Sequence, residues 1–173
     1  MDDPVQNMRT LARLSLLFVG CCLLVGTTVG RNALYRDPVS LWSDAIPRSP
    51  RKARPHYNLG NALRERGDMA GAVREWQQAV AVDPNYSMAY NQLGNVRFLA
   101  GDLVGAEHYY TQAVAGEPGN AEAQYNLAMV QDALGYTTQA VQHYRSFLEM
   151  ARQQPDSAVS LARRRVRELQ AGQ

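Results

Sequence analysis

Two patterns of apolar and polar residues divide the chain. Residues 14–30, LSLLFVGCCLLVGTTVG, form a run of 17 residues without a charge, bounded by Arg13 and Arg31. As a helix they reach roughly 26 Å, a short transmembrane span whose flanking arginines extend to the headgroups. From Arg54 onward apolar residues recur at helical spacing in paired blocks. Arg54–Arg66 and Met69–Val82 are separated by Gly67-Asp68, and Asp83-Pro84-Asn85 stops the second block.

The paired blocks recur every 34 residues. Tyr57-Asn58-Leu59-Gly60, Asn91-Gln92-Leu93-Gly94 and Tyr125-Asn126-Leu127-Ala128 lie at this spacing, as do Gly67, Gly101 and Gly135, and Ala72, Ala106 and Ala140. Trp42, Trp76, Tyr110 and Tyr144 carry the series one step further toward the N-terminus, with Ala45, Ala79, Ala113 and Phe147, and Pro50, Pro84 and Pro118. A fixed period of this length predicts a stack of helical hairpins. Gly60, Ala72 and Ala79 are small where two helices cross, Trp76 fills the space beyond them, and Gly67 supplies a left-handed cap. Pro84 is expected to stop one helix and start the next.

The Leu-Gly pair, the turn Gly, the Ala, the aromatic, the second Ala and the Pro together resemble the tetratricopeptide repeat (TPR). The resemblance covers 53–86, 87–120 and 121–154, with a half unit within 31–52. It implies an all-α solenoid: a half repeat, three full repeats and, over 155–173, a capping helix and tail. The third unit departs from the pattern, with Ala128 in place of Gly, Phe147 in place of a small residue and Arg152 in place of Pro. Residues 156–170 read as the cap, with Asp156 at its N-terminus and Val159, Ala162, Val166 and Leu169 on one face.

The N-terminal run, preceded by a tail at 1–13, has three readings: an uncleaved signal-anchor, a cleaved secretory signal, or a lipoprotein signal ending at Cys21. The anchor is the expectation carried forward. Cys22, Gly26 and Gly30 share one helix face, where small residues let a second membrane helix approach. Arginines on both sides leave the orientation open. The segment from Thr28 to Trp42, followed by Ala45 and Pro50, resembles the junction between the last membrane helix and the repeats of mannosyltransferase-like membrane proteins. That resemblance implies an extracytoplasmic face, at an inner or plasma membrane, and an accessory or remnant part of a glycosyltransferase system as an alternative function.

Charge sharpens the division. Residues 1–54 hold eight basic and four acidic side chains, 55–154 hold six and ten, and 155–173 hold four and two, within an overall charge of +2. A nucleic-acid binder needs a sustained basic face, so none is expected as a partner. No HExxH, CxxC, GxSxG or P-loop sequence occurs, and His56, His108 and His143 fall at different repeat phases. Neither catalysis, nor a cofactor, nor a metal is expected. Arg163, Arg164, Arg165 and Arg167 read as a solvated face of the cap, with acidic lipid or an acidic partner as the other reading.

By the resemblance, the first helix of each unit lines a concave groove. The repeat phase places Asn58, Gln92 and Asn126 at one groove site, and Asn61, Asn95 and Met129 one turn along. Arg54, Tyr57, Arg64, Asn91, Phe98 and Tyr125 share the groove. Amides donate and accept, so such a ladder can hold the backbone of an extended peptide; the alternative is that the amides bond within the stack. Superhelical TPR proteins associated with glycosyl transfer have a similar asparagine ladder. The TPR carboxylate clamp is not matched, because Tyr57 and Asn126 stand where it has basic residues. The expected function is a membrane-anchored scaffold that recruits a protein partner, as an extended peptide or as subunits of a membrane complex, with lipid contacted through 14–30.

Overall fold

The computed structural model describes residues 37–151 and 157–171. Among them are eight helices: α1 (Pro38–Arg48), α2 (Ala53–Glu65), α3 (Met69–Val82), α4 (Ser87–Leu99), α5 (Leu103–Gly116), α6 (Ala121–Ala133), α7 (Thr137–Met150) and α8 (Ser157–Ala171). α2–α3, α4–α5 and α6–α7 form one hairpin per 34-residue unit, α1 is the half unit packed on α2, and α8 packs on α7. Membrane-packing candidates Cys22, Gly26 and Gly30, and the expected cap residue Asp156, lie outside the described residues. Among those described, no helix is long and apolar enough to cross a membrane.

Each hairpin turn is built the same way. Gly67, Gly101 and Gly135 have φ of 85°, 77° and 79°, a left-handed conformation that a Cβ disfavours. Asp68 and Asp102 then cap α3 and α5 by accepting from the N–H of Gly71 (2.8 Å) and Gly105 (2.9 Å). In the third unit Tyr136 takes the Asp position and provides no side-chain cap. Pro84 and Pro118 stop their helices but start none. They sit in the turns, and the next helices begin three residues later, at Ser87 and Ala121.

The core is a series of seams between small residues. Ala72, Ala79, Ala106, Ala113, Ala123 and Ala140 are fully buried, which lets the helices of a hairpin approach closely. A Cβ placed on Gly60 would stand 2.5 Å from Trp76 Nε1, and one on Gly94 would stand 2.5 Å from Tyr110 Cε1. The aromatic ring therefore lies directly against the glycine backbone. A second inter-helix site repeats with changing chemistry: His56 Nδ1 is 2.8 Å from Glu75 Oε2, Tyr90 stacks on Tyr109 at 6.4 Å, and His143 Nδ1 is 2.7 Å from Gln124 Oε1. A histidine–carboxylate contact, an aromatic pair and a histidine–amide contact fill the same geometry.

The cap closes the last seam. Val159 and Ala162 are buried against Tyr144, Phe147 and Ala151, with Val166 and Leu169 packed beside them. Phe147 also meets Tyr125 at 5.0 Å. Arg165 is not merely a solvated residue. Its Nε and Nη2 donate to both carboxylate oxygens of Asp132, at 2.9 and 2.8 Å, and Nη1 donates to Glu168 at 2.7 Å. A two-pronged bond of this kind fixes the angle of α8 against α6 as well as its distance.

Candidate functional site

The first helices of the units, α2, α4 and α6, present their ladder amides on a common face, and hydrogen bonds tie that face together across repeats. The amide nitrogen of Asn126 donates to Asn91 Oδ1 at 3.0 Å and Asn95 Oδ1 at 3.3 Å. Asn95 Oδ1 also accepts from the Tyr110 hydroxyl at 2.7 Å, and Asn91 donates to Glu122 at 2.7 Å. Burial raises the Tyr110 hydroxyl well above the usual phenol range, with the nearby Glu122 charge adding to it, so it stays a donor. Toward the N-terminal end, Arg64 donates to Gln92 Oε1 at 3.1 Å, joining α2 to α4.

The sequence-predicted residues therefore occupy different depths. Asn91 is only 2% exposed, at the bottom of a notch that it helps to line. Asn126 is half-buried and committed to the network. Asn58 is half-buried with no hydrogen-bond partner among the described residues, and Gln92 accepts from Arg64 while lining two notches. Asn61 Oδ1 is buried without a partner, as is Trp76 Nε1. Their counterparts one unit on are Asn95 and Tyr110, where a hydroxyl closes the bond that an indole leaves open. Tyr57 packs on Tyr86 at 5.5 Å, and Tyr125 on Tyr144 and Phe147. Arg54 and Arg64 are exposed.

Three notches open along these helices. One, of about 250 Å³, lies between the C-terminal ends of α2 and α4 and is lined by Arg64, Gln92, Asn95, Val96, Phe98 and Leu99, among others. A second, of about 340 Å³, lies toward their N-terminal ends, with Tyr57, Met88, Gln92, Glu117, Asn120 and Glu122. A third, of about 420 Å³, is walled by Phe98, Met129, Asp132, Leu161 and Arg165. Met88, Glu122 and Asp132 had a signal in the sequence, because they are the 34-residue counterparts of Arg54 and Arg64. Glu117 and Asn120 belong to an inter-repeat turn, and Leu161 and Arg165 to the cap, so the groove phase did not mark them. Among the described residues no group of three His, Cys, Asp or Glu side chains could hold a metal ion.

Residues 60–101 match a family model described as TPR repeat, and residues 97–165 match one described as tetratricopeptide repeat. The chain is a tetratricopeptide-repeat protein. Solved structures agree on the fold. YrrB, described as a TPR protein with an unusual peptide-binding site, is 21% identical with a TM-score of 0.66, over 76% of this chain and 65% of that one. A MamA protein structure is 18% identical with a TM-score of 0.60, over 84% and 82%. The first TPR of Spaghetti (RPAP3), bound to the HSP90 peptide SRMEEVD, is 19% identical with a TM-score of 0.58, over 70% and 92%. At these identities the likeness is one of fold alone.

No curated protein matches the chain. The mannosyltransferase-like resemblance of the segment around 28–50 gains no support from the TPR matches, and no enzyme family is found. This TPR protein is an interaction scaffold by family.

Proposed function

We propose that this TPR protein holds an extended segment of a partner protein along α2, α4 and α6, as an accessory or assembly subunit of a membrane complex. The observation that carries the reading is the amide floor. Gln92 lines both notches and Asn58 follows Tyr57, which lines the second, and the network joining Asn126, Asn91, Asn95 and Glu122 holds the neighbouring helices in register. Gln92, held by Arg64 before a partner arrives, can bind a peptide backbone with little ordering cost at the moment of contact, and the side chain of Asn58, one repeat earlier, adds a further donor and acceptor. The uncharged run 14–30 would anchor the chain in the inner or plasma membrane, with the repeats on the extracytoplasmic side.

A photo-crosslinking residue at Met88, exposed beside the groove, should capture a partner in native membranes, whereas one at Val104, exposed on the second helix of that unit, should not. Asn58→Ala with Gln92→Ala should abolish the Met88 adduct without lowering the melting temperature. Capture from Val104 alone would place the partner on the other face. For the anchor, alkaline carbonate should leave the protein in the membrane pellet, and Gly119→Cys should react with an impermeant maleimide added from outside. Release by carbonate would remove the anchor, and labelling only after lysis would reverse the side.

A further inference from the structure

The groove changes sign along its length. At the two groove positions that bracket each first helix, α2 carries Arg54 and Arg64, α4 carries Met88 and Phe98, and α6 carries Glu122 and Asp132. Asp132 is occupied by Arg165, but Glu122 is exposed, and Glu117 joins it in the 340 Å³ notch. The charged residues of that notch are both acidic. The 250 Å³ notch has Arg64 as its charged lining residue, on a wall made largely by Val96, Phe98 and Leu99, the last of which is 81% exposed. Gln92 lines both notches, so the two sites of opposite sign share one wall.

Resting on the groove as the binding face, we infer that its occupant is a peptide segment of mixed charge lying across Gln92. A lysine or arginine side chain enters the notch of Tyr57, Glu117 and Glu122. An apolar side chain next to a carboxylate enters the notch of Phe98 and Arg64.

The chemistry of each end is specific. Glu122 already accepts from buried Asn91 at 2.7 Å, so its carboxylate is held in place before a cation arrives. Tyr57 adds an aromatic face within the same notch, which favours a cation over a neutral group. At the other end Arg64 gives one N–H to Gln92, and a guanidinium has further donors for a carboxylate. In an extended segment, side chains on one face recur at about 7 Å, so residues two or four apart can reach the two notches from one backbone line. A wholly acidic tail would be repelled by Glu117 and Glu122, and a wholly basic one by Arg64. The groove is therefore selective for a pattern, not for net charge.

The test uses the full-length chain in detergent and four fluorescein-labelled nonapeptides on a Ser/Ala background. The first carries a lysine at its third position and a Leu-Asp pair at its seventh and eighth, so that the leucine follows the lysine by four residues; the others have the lysine replaced by glutamate, the aspartate replaced by lysine, or both exchanged. The expected result by fluorescence anisotropy is at least tenfold tighter binding of the first than of either single replacement, with the preference weakening in 500 mM salt. Glu117→Lys should erase or invert the preference at the lysine position, and Arg64→Glu that at the aspartate position, with melting temperatures unchanged. Glu117 is the variant of choice because Glu122 also holds Asn91.

Equal binding of all four peptides that is lost in Asn58→Ala/Gln92→Ala would overturn the charge pattern and leave the peptide groove standing. Binding of none up to 1 mM, or binding indifferent to the Asn58/Gln92 change, would overturn both. Concentration-dependent dimerisation of the unliganded chain, abolished by Phe98→Asp, would overturn the proposal in favour of a second copy as the occupant.

Discussion

Replacing Gly94 by alanine sets two physical effects against each other. Alanine favours a helix over glycine by about 1 kcal/mol, so helix propensity alone predicts a more stable protein. The packing predicts the reverse. The added methyl would stand 2.5 Å from Tyr110 Cε1 and 2.6 Å from Cδ1, and the ring is 1% exposed, so it has no solvent to retreat into. Its hydroxyl is also tied to Asn95 at 2.7 Å, and a ring that slides outward gives up that bond. Overpacking costs about 1–3 kcal/mol and the lost hydrogen bond about 1 kcal/mol. Against the propensity gain, the net is a loss of about 1–3 kcal/mol, or roughly 4–12 °C in melting temperature for an array of this size. Thermal and urea unfolding followed by circular dichroism would measure it. Gly94→Ala with Tyr110→Leu, which removes the ring, should recover most of the loss. A single variant as stable as the wild type or more so would refute the close approach between Gly94 and Tyr110.

Three further outcomes follow from the same seams. Asn126→Ala should cost about 1–3 kcal/mol by leaving Asn91 and Asn95 short of a donor, whereas Asn58→Ala should stay within about 0.5 kcal/mol; equal effects in urea unfolding would contradict the network. Arg165→Ala, which removes the two-pronged bond to Asp132, should cost roughly 1 kcal/mol after allowing for solvent screening at a side chain 35% exposed. Its signature is faster amide exchange in α8 than in α4, and uniform exchange would show that the cap does not depend on that bond. Burial depresses the His143 pKa below its ordinary 6.5, with the neighbouring Glu107 opposing in part. The unfolded chain then binds more protons than the folded one just below pH 6.5. Stability from this site is complete above that pH and falls as the solution is acidified, and His143→Gln should flatten the slope between pH 6.5 and 5.

Much of the architecture was legible because a TPR hairpin is dictated locally. The positive φ at Gly67, Gly101 and Gly135, the small residues at Gly60 and Ala72, and the 34-residue spacing each act within one unit, and a period in the chain becomes a period in space. Pro84 was misread as a helix start because a proline announces where a helix cannot continue, not how many turn residues precede the next one. The ladder positions were legible for the same reason as the fold, since phase places Asn58, Gln92 and Asn126 on one face.

Phase could not assign their depth or their partners. Asn91 and Asn95 were indistinguishable from free groove amides until α4, α5 and α6 were brought together, because their bonds join residues 15 to 35 apart in sequence. Arg165 looked like one arginine of a solvated run, and only the packing of α8 on the last hairpin set it on Asp132. The acidic notch arises from Glu117 in a turn and Glu122 in a helix, on opposite sides of an inter-repeat junction. What the sequence alone determined is the repeat, its turns and the face each residue belongs to, all consequences of short-range geometry. Which amides are committed, and where the groove is acidic or basic, was decided by the stacking of units, because those contacts exist only between elements that the chain itself holds far apart.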